Sequence, residues 1–216
     1  MENIFVINLK HRTDRLEQAK KYLDEHELEW ERFDAIKYDT KVHGFEKEFN
    51  NLKECLIKNN FPPSYASGCF GCVLSHYNVI KIAKERKYDM VTILEDDFYF
   101  TPGWKENLNK CLDDLKDKDW DMFYLSANNV WPAVPVTNNI EKPRKCFTTG
   151  AYILKSSLFD YILENALDFG KQIDMFYCET VQQKFNVYTP KKNIIRQTPS
   201  YSDIEGKYVD YNFYIK

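Results

Sequence analysis

Short apolar runs alternate with segments of helical periodicity along the first part of the chain. Residues 4–9 are almost all apolar, which predicts a buried strand. Leu16, Ala19 and Leu23 then recur at the spacing of one helix face, and residues 30–36 return to a strand-like pattern. A strand, a helix and a strand in this order predict a βαβ unit and a parallel sheet.

The same alternation continues almost to the end of the chain. The pattern predicts helices over residues 45–59, 72–86, 104–115, 159–166 and 173–185, with a glycine-bearing turn at residues 67–71. It also predicts a strand ending near residue 95, a strand over residues 120–125, a strand with a glycine break over residues 147–154, and short strands at residues 187–188 and 194–195. We therefore expect an α/β fold with a mostly parallel central sheet flanked by helices.

Residues 126–144 interrupt this alternation with three prolines, several asparagines and Trp131. They predict a long loop, and long loops in compact domains are usually functional or mobile. One interpretation is an acceptor-side flap with Trp131 as a stacking surface, and a disordered insertion is an equally good one. Residues 197–216 form a polar and aromatic tail.

Composition excludes several classes of protein. The chain has 216 residues, 44% of them hydrophobic, and a net charge of −3 at pH 7, so a sizeable core is expected and a nucleic-acid binder is not. No segment reaches the ~20 apolar residues of a transmembrane helix, and residues 1–10 lack a secretory signal pattern. We therefore expect a cytoplasmic protein with reduced cysteines. Cys69 and Cys72 form one C-x-x-C pair, which by itself is weak support for a zinc site.

The strongest chemical signal lies at the end of the predicted strand before residue 96. An apolar run ends in three consecutive carboxylates, Glu95, Asp96 and Asp97. Buried carboxylates crowded together repel one another, and a hard divalent cation would relieve that repulsion. Ligands of open α/β sheets bind beyond the carboxyl ends of strands, so an anionic ligand held by a metal is expected here. A solvated acidic turn is the plain alternative.

Two further segments offer candidate ligand contacts. No G-x-G-x-x-G follows the first strand, which disfavours a dinucleotide oxidoreductase, but Arg12 and Arg15 could pair with a diphosphate. Local pairs with neighbouring acids explain these arginines equally well. Gly71 would let backbone approach a ligand, while His76 is more often a hydrogen-bonded structural residue than a catalyst.

Five separated segments strengthen this hypothesis. They are Val6-Ile7-Asn8-Leu9 with Arg12, Asp14 and Arg15; Gly68-x-x-Gly71-Cys72-x-x-Ser75-His76; Ile93-Leu94-Glu95-Asp96-Asp97; Thr149-Gly150-Ala151-Tyr152-Ile153-Leu154; and Ser202-Asp203-Ile204. In this combination and order the chain resembles glycosyltransferase family 25, which includes bacterial lipooligosaccharide galactosyltransferases and collagen hydroxylysine galactosyltransferases. Each segment is short, but together they span nearly the whole chain.

The resemblance implies a single GT-A (Rossmann-like) domain over residues 1–216. Residues 1–100 would form the nucleotide-sugar-binding half, and residues 101–216 the acceptor-side half. The resemblance also implies Mn²⁺ or Mg²⁺ and a UDP-sugar donor, from which a hexose (galactose or glucose) moves with inversion to a hydroxyl of a glycan or protein. A catalytically degenerate domain that binds nucleotide or glycan is the alternative. A nucleotidyltransferase is disfavoured because residues 8–15 contain no glycine.

The resemblance also assigns roles to residues. Asp97 and Glu95 would hold the metal. Enzymes of this fold often use a late histidine as a further metal ligand, and because no histidine follows His76 that role would pass to Asp203, to water or to nothing. Asp174 is the candidate catalytic base and Glu179 the second choice, although either could be an ordinary helix carboxylate. The predicted donor-binding residues are Asn8, Leu9, Arg12, Arg15, Asp34, Gly71, Ser75, His76, Glu95 and Asp96.

Overall fold

The computed structural model describes residues 1–211 as an α/β fold. The strands are β1 (Ile4–Asn8), β2 (Trp30–Asp34), β3 (Met90–Glu95), β4 (Phe98–Phe100), β5 (Met122–Tyr124), β6 (Asn128–Asn129), β7 (Val134–Pro135), β8 (Ile140–Lys142), β9 (Cys146–Phe147), β10 (Ala151–Lys155), β11 (Val187–Pro190), β12 (Ile195–Gln197), β13 (Ser200–Ser202) and β14 (Lys207–Val209). The α-helices are α1 (Thr13–Glu25), α2 (Thr40–His43), α3 (Glu46–Lys58), α4 (Ala66–Glu85), α5 (Trp104–Leu115), α6 (Phe159–Asn165), α7 (Ile173–Phe176) and α8 (Gln182–Lys184).

Within residues 1–211, the central sheet has eight strands in the order β2-β1-β3-β10-β5-β11-β8-β7. β1 pairs in parallel with both β2 and β3, while β10 and β8 run against their neighbours. The predicted α/β class with a mostly parallel sheet is therefore confirmed. Because the chain places β2 and β3 on opposite sides of β1, the sheet has a switch point at the carboxyl ends of β1 and β3, where ligands of such sheets bind.

Side chains of β1 alternate between two apolar layers, as the pleat of a strand requires. Phe5 and Ile7 pack in the layer that contains α3, α4 and α6, and Ile4 and Val6 pack in the layer that contains α1 and α5. All four side chains are buried. Helices thus cover both faces of the sheet, so the polar strand ends are the part of the sheet that stays open to a ligand.

The predicted glycine turn before residue 72 is wrong. Helix α4 begins at Ala66, so Gly68 and Gly71 lie inside it. A Cβ on Gly71 would lie 2.2 Å from the carbonyl oxygen of Ile36, which shows that the glycine allows the helix to pack closely against the chain after β2. Glycine is unfavourable in a helix interior, and here the close packing compensates.

The predicted long loop over residues 126–144 contains β6, β7 and β8, so the disordered insertion is wrong. β8 pairs with β11 in the central sheet, and β6 pairs with β9. Trp131 in this segment is 58% exposed. The predicted helix over residues 173–185 is interrupted by a π-helical turn, Tyr177–Val181, between α7 and α8.

The chain after residue 197 forms a hairpin of β13 and β14, which binds Arg12 and Arg15 near the start of α1. The rest of the predicted tail, residues 212–216, lies outside the described residues. All six cysteines are free thiols in the structure. Across residues 1–211, we find no helix with the length and apolar character that a membrane span requires.

Candidate functional site

A cavity of about 660 Å³ opens at the carboxyl end of β3. Glu95 at the strand end lines it together with Thr149 and Gln197. Cys72 of α4 and Asp174 of α7 also line it. The cavity therefore combines residues from both predicted halves of the chain, and one of the three consecutive acids faces it directly.

Glu95, which lines the cavity, has two close side-chain neighbours. The hydroxyl of Thr149 donates a hydrogen bond of 2.8 Å to its Oε1, and His76 Nε2 lies 3.3 Å from the same oxygen. Burial raises the pKa of Glu95, but His76, Thr149 and Arg15 outweigh it, so the net direction is downward. Glu95 is thus held ionised at the edge of the cavity.

The side chain of Asp96 accepts hydrogen bonds from residues of β1 and α1. Asn8 Nδ2 donates to its Oδ2 over 2.7 Å, and Arg15 Nη1 donates to its Oδ1 over 2.8 Å. Burial nevertheless raises the pKa of Asp96, and Arg15 and Asn8 only partly oppose that effect. Asp96 is therefore a buried structural carboxylate that joins β1 to β3.

Arg15 and Arg12 also bind the C-terminal hairpin. Arg15 Nη2 donates to Ser200 Oγ and to the carbonyl of Tyr201, over 2.8 and 2.7 Å. Arg12 Nη1 donates to Asp203 Oδ2 over 2.6 Å, and His11 Nε2 lies 3.2 Å from Asp203 Oδ1. We call Arg12, Arg15, Asp96 and Asp203 the arginine cluster.

Asp97 is the least compensated of the three acids. Its side chain is 13% exposed, and Arg15 Nη1 lies 3.6 Å from its Oδ2. Gln197 Nε2 donates a long hydrogen bond of 3.4 Å to its Oδ1. Burial and the charge of Glu95 raise the pKa of Asp97 to about 7. A cation near Asp97 and Glu95 would remove this unfavourable crowding of negative charge.

His76 lies in the middle of α4, not in its first turn. Its Nδ1 lies 2.8 Å from the hydroxyl of Tyr152, which in turn lies 3.1 Å from the hydroxyl of Tyr177. All three side chains are buried. The two tyrosines fix the orientation of the imidazole, so that Nε2 faces Glu95.

Four predicted donor-binding residues lie in packing or turn positions. The Ser75 hydroxyl accepts from the backbone of Ile36 and donates to the carbonyl of Gly71, so both residues join α4 to the chain after β2. The carbonyl of Leu9 accepts from the backbone of Arg12. Asp34 is 66% exposed and pairs with Arg32.

The two candidate bases differ in their surroundings. Asp174 accepts a hydrogen bond of 2.8 Å from the backbone N–H of Met175, and burial raises the pKa of its carboxyl group. Glu179 pairs with Lys171 Nζ over 2.5 Å at the rim of the cavity and is 36% exposed. Asp174 therefore offers the more desolvated carboxylate to the cavity.

Two carboxylates such as Glu95 and Asp97 can hold a divalent cation when a substrate phosphate completes the coordination. Asp203 does not join them, because Arg12 and His11 hold it. Among residues 1–211, the group of three possible ligand atoms within 4.8 Å of one another consists instead of Cys72, His76 and Glu95.

Sequence reasoning missed Thr149, Tyr152, Tyr177 and Gln197 as individual contributors. Thr149 and Tyr152 lie in a segment that the resemblance marked, but their hydroxyl partners come from distant strands and helices. Gln197 follows no motif, and only the pairing of β12 with β4 brings it beside Asp97.

A model of glycosyltransferase family 25 (LPS biosynthesis protein) matches residues 1–177. The chain belongs to glycosyltransferase family 25. The match includes the strand-end acids, His76, Thr149 and Asp174 of this family 25 chain, whereas Gln197 and Asp203 lie beyond it.

Curated relatives include procollagen galactosyltransferase 1-B of Xenopus laevis, which is 36% identical over 140 residues, 60% of this chain and 22% of the relative. Human procollagen galactosyltransferase 2 is 29% identical over 167 residues, 71% of this chain and 26% of the relative. A glycosyltransferase of Acanthamoeba polyphaga mimivirus is 39% identical over 171 residues, 76% of this chain and 51% of the relative. The family 25 chain thus spans about a quarter of the procollagen galactosyltransferases.

Among solved structures, a glycosyltransferase involved in the glycosylation of the major capsid of PBCV-1 is similar to this family 25 chain. The similarity covers 87% of this chain and 80% of that one, with 13% identity and a TM-score of 0.45. A similarity with so low a TM-score supports no conclusion about the functional site.

Proposed function

We propose that this chain is a metal-dependent glycosyltransferase that moves a hexose from a UDP-sugar to a hydroxyl group of a glycan or protein, with inversion. The observation that carries this proposal is the poorly compensated acid Asp97 beside the sheet's switch point. It lies two residues after Glu95, which lines the cavity. Membership of family 25 supports glycosyl transfer, and the names of the relatives favour galactose.

Asp97 and Glu95 would hold Mn²⁺ or Mg²⁺. When bound, such an ion supplies positive charge that stabilises a leaving diphosphate. The protein would orient these ligands through three contacts: Thr149 and His76 fix Glu95, and Gln197 contacts Asp97. Because these contacts exist before any ligand arrives, little reorganisation is needed when the donor binds.

Arg12 and Arg15 have a mainly positioning role in this proposal. Both guanidinium groups already bind carboxylates or carbonyls of the arginine cluster. Arg15 also places positive charge 3.6 Å from Asp97. The arginines therefore fix the acid-bearing turn and the C-terminal hairpin relative to β1.

Asp174 is the proposed general base. An in-line displacement needs a carboxylate to accept the proton of the attacking hydroxyl as the new bond forms. Asp174 lines the same cavity as Glu95, and burial raises its pKa towards the range in which a carboxylate accepts protons effectively. Glu179, at the rim and paired with Lys171, is the alternative base.

The direct test is a thermal-shift panel of UDP, GDP and CMP and their sugar conjugates, each with and without Mn²⁺. A ligand that binds the native state raises the melting temperature, so UDP species should stabilise the protein when Mn²⁺ is present. Hydrolysis or transfer of the same UDP-sugar then tests turnover.

The matched variants are Asp97→Asn and Asp113→Asn, the latter at an exposed acid of α5 that pairs with Lys116. The shift should be lost in Asp97→Asn and kept in Asp113→Asn. A Mn²⁺-dependent shift without turnover on any tested acceptor or water would favour a degenerate binding domain. No shift with any nucleotide would contradict the proposal.

A further inference from the structure

A second set of ligand atoms lies beside the proposed donor site and uses different chemistry. Cys72 Sγ, His76 and a carboxylate oxygen of Glu95 lie within 4.8 Å of one another. Cys72 and His76 are four residues apart on α4, so both side chains lie on the same face of the helix. Glu95 faces them from the end of β3. This is a thiol, an imidazole and a carboxylate gathered at one point of the cavity wall.

The imidazole is oriented as a metal ligand would be. Among the described residues, His76 Nε2 is buried and has no hydrogen-bond partner of acceptable geometry, although Glu95 Oε1 lies 3.3 Å away. The other ring nitrogen, Nδ1, faces the hydroxyl of Tyr152 at 2.8 Å. Metal-bound histidines usually donate their second ring N–H to such a partner, which fixes the tautomer and leaves the first nitrogen free to coordinate.

The distances suit a tetrahedral ion after small side-chain rotations. Ligand atoms around a four-coordinate zinc ion are about 3.3 to 3.5 Å apart, given zinc–ligand bonds of about 2.0 to 2.3 Å. The separation of His76 Nε2 and Glu95 Oε1 already has this value, at 3.3 Å. Cys72 and Glu95 line the cavity, so a fourth position is open to water or a ligand.

We propose that Cys72, His76 and Glu95 form a binding site for Zn²⁺ or a similar borderline-soft cation, distinct from the Asp97 and Glu95 site for a hard cation. A thiolate and an imidazole favour zinc over manganese or magnesium, which prefer oxygen ligands. The pair that matters is thus Cys72-x₃-His76, not the C-x-x-C of Cys69 and Cys72.

Glu95 belongs to both sites, which predicts competition. A zinc ion bound by Cys72 and His76 would draw the Glu95 carboxylate away from Asp97 and so weaken binding of the donor's hard cation. This consequence rests on the proposed transferase function, whereas zinc binding itself does not. Zn²⁺ would therefore inhibit the Mn²⁺-supported reaction, and removal of Zn²⁺ by a chelator followed by Mn²⁺ would restore it.

The test uses Co²⁺ as a spectroscopic substitute for Zn²⁺, in the full chain, reduced and without nucleotide. Cobalt bound to a thiolate gives an intense near-ultraviolet charge-transfer band, whereas cobalt bound only by carboxylates gives none. We expect the band in the wild-type protein, its loss on adding Zn²⁺, and its absence in Cys72→Ser. The matched control is Cys69→Ser, which removes the neighbouring thiol of the same helix and cavity and should keep the band.

Two further measurements test the zinc site even if the Cys72→Ser variant does not fold. In the wild-type protein, Zn²⁺ should protect Cys72 from alkylation, as read by mass spectrometry, and leave the rate at Cys69 unchanged. Tyr152→Phe, which removes the partner of His76 Nδ1, should weaken Zn²⁺ binding by about 10- to 100-fold.

A cobalt spectrum without a thiolate band would overturn the zinc site. A thiolate band that is lost equally in Cys69→Ser and Cys72→Ser would overturn it as well. Either result would leave the transferase proposal intact, since that is tested with Mn²⁺ and UDP-sugars. Conversely, a thiolate band in a protein that binds no nucleotide would establish the zinc site and contradict only the transferase.

Discussion

The arginine cluster and the acids proposed for the transfer reaction (Glu95, Asp97 and Asp174) differ in how their negative charge is compensated. In the arginine cluster each carboxylate meets a guanidinium group at 2.6 to 2.8 Å. Asp97 instead has an arginine no nearer than 3.6 Å. Burial raises the pKa of Asp96 as well as those of Asp97 and Asp174, so the difference lies in the paired guanidinium group and not in burial. Two adjacent residues of one acidic motif thus differ, because Asp96 joins β1 to β3 whereas Asp97 is the acid that we propose as a metal ligand.

The largest expected effect is on turnover in Asp97→Asn. Loss of this ligand removes charge stabilisation in the transition state, so turnover with Mn²⁺ and a UDP-sugar should fall about 1,000-fold. Initial rates of sugar release or transfer give the value. Unchanged turnover would show that Asp97 belongs with the structural acids.

Arg15→Ala should have the largest effect on stability. It leaves Asp96 buried beside Asn8 with its main counter-charge removed, which should cost about 3 kcal/mol of unfolding free energy. Denaturant unfolding provides the measurement. The control is Arg86→Ala, whose side chain is 42% exposed where it pairs with Glu31, and its loss of unfolding free energy should be much smaller. Equal losses in the two variants would remove the distinction between the arginine cluster and an ordinary surface pair.

Asp174→Asn tests whether a cavity acid accepts the proton. Turnover should fall about 100-fold while Mn²⁺-dependent donor affinity stays unchanged, because the base acts only in the chemical step. Glu179→Gln is the comparison and should change turnover far less. If the two variants exchange these outcomes, Glu179 is the base.

The pH dependence of stability tests the unfavourable burial of the Asp97 carboxylate in the metal-free protein. A carboxyl group whose pKa rises from 3.8 to about 7 on folding favours the fold in its protonated form, so stability is present below about pH 4 and declines as the pH rises to about 7. Replacement by asparagine removes that decline, and Asp97→Asn should be more stable than wild type by about 2 kcal/mol at pH 7.5, with little difference at pH 4. Thermal unfolding in the presence of a chelator measures this effect. A variant that is less stable than wild type at pH 7.5 would contradict it.

Asp203→Asn should have the smallest effect of the five. Its side chain is 26% exposed and pairs with Arg12 and His11, so the variant should lose about 1 kcal/mol of stability and bind Mn²⁺ as wild type does. Calorimetry with Mn²⁺ and UDP provides the check. A tenfold loss of Mn²⁺ affinity would show that Asp203 moves to the metal when the donor binds.

The sequence predicted the features of the fold that depend on the local pattern of hydrophobic and polar residues. The apolar runs predicted β1 and β3, and a run that ends in acids predicted the polar strand end, because both signals lie within a few residues. The start of α4 was missed because Gly68 and Gly71 normally mark turns, and their packing against Ile204 and Ile36 depends on tertiary structure.

The different contacts of the individual acids could not be predicted either, because they depend on tertiary structure. Which acid Arg15 binds, and whether Asp203 faces a metal or an arginine, depends on contacts between residues far apart in sequence, 81 positions for Arg15 and Asp96 and 191 for Arg12 and Asp203. No periodicity or motif carries that information. The Cys72–His76 pair was likewise present in the sequence, but only the end of β3 makes it a three-ligand group.

The family model ends at residue 177, yet the site continues past that point. Gln197 reaches Asp97, and the β13–β14 hairpin binds Arg15 through Ser200 and Tyr201. A chimera that exchanges residues 195–211 between family members would therefore change the surroundings of the acidic motif while leaving the motif itself intact. For protein engineering, this short C-terminal segment is therefore the place to change if the proposed donor binding is to be adjusted without altering the acidic motif.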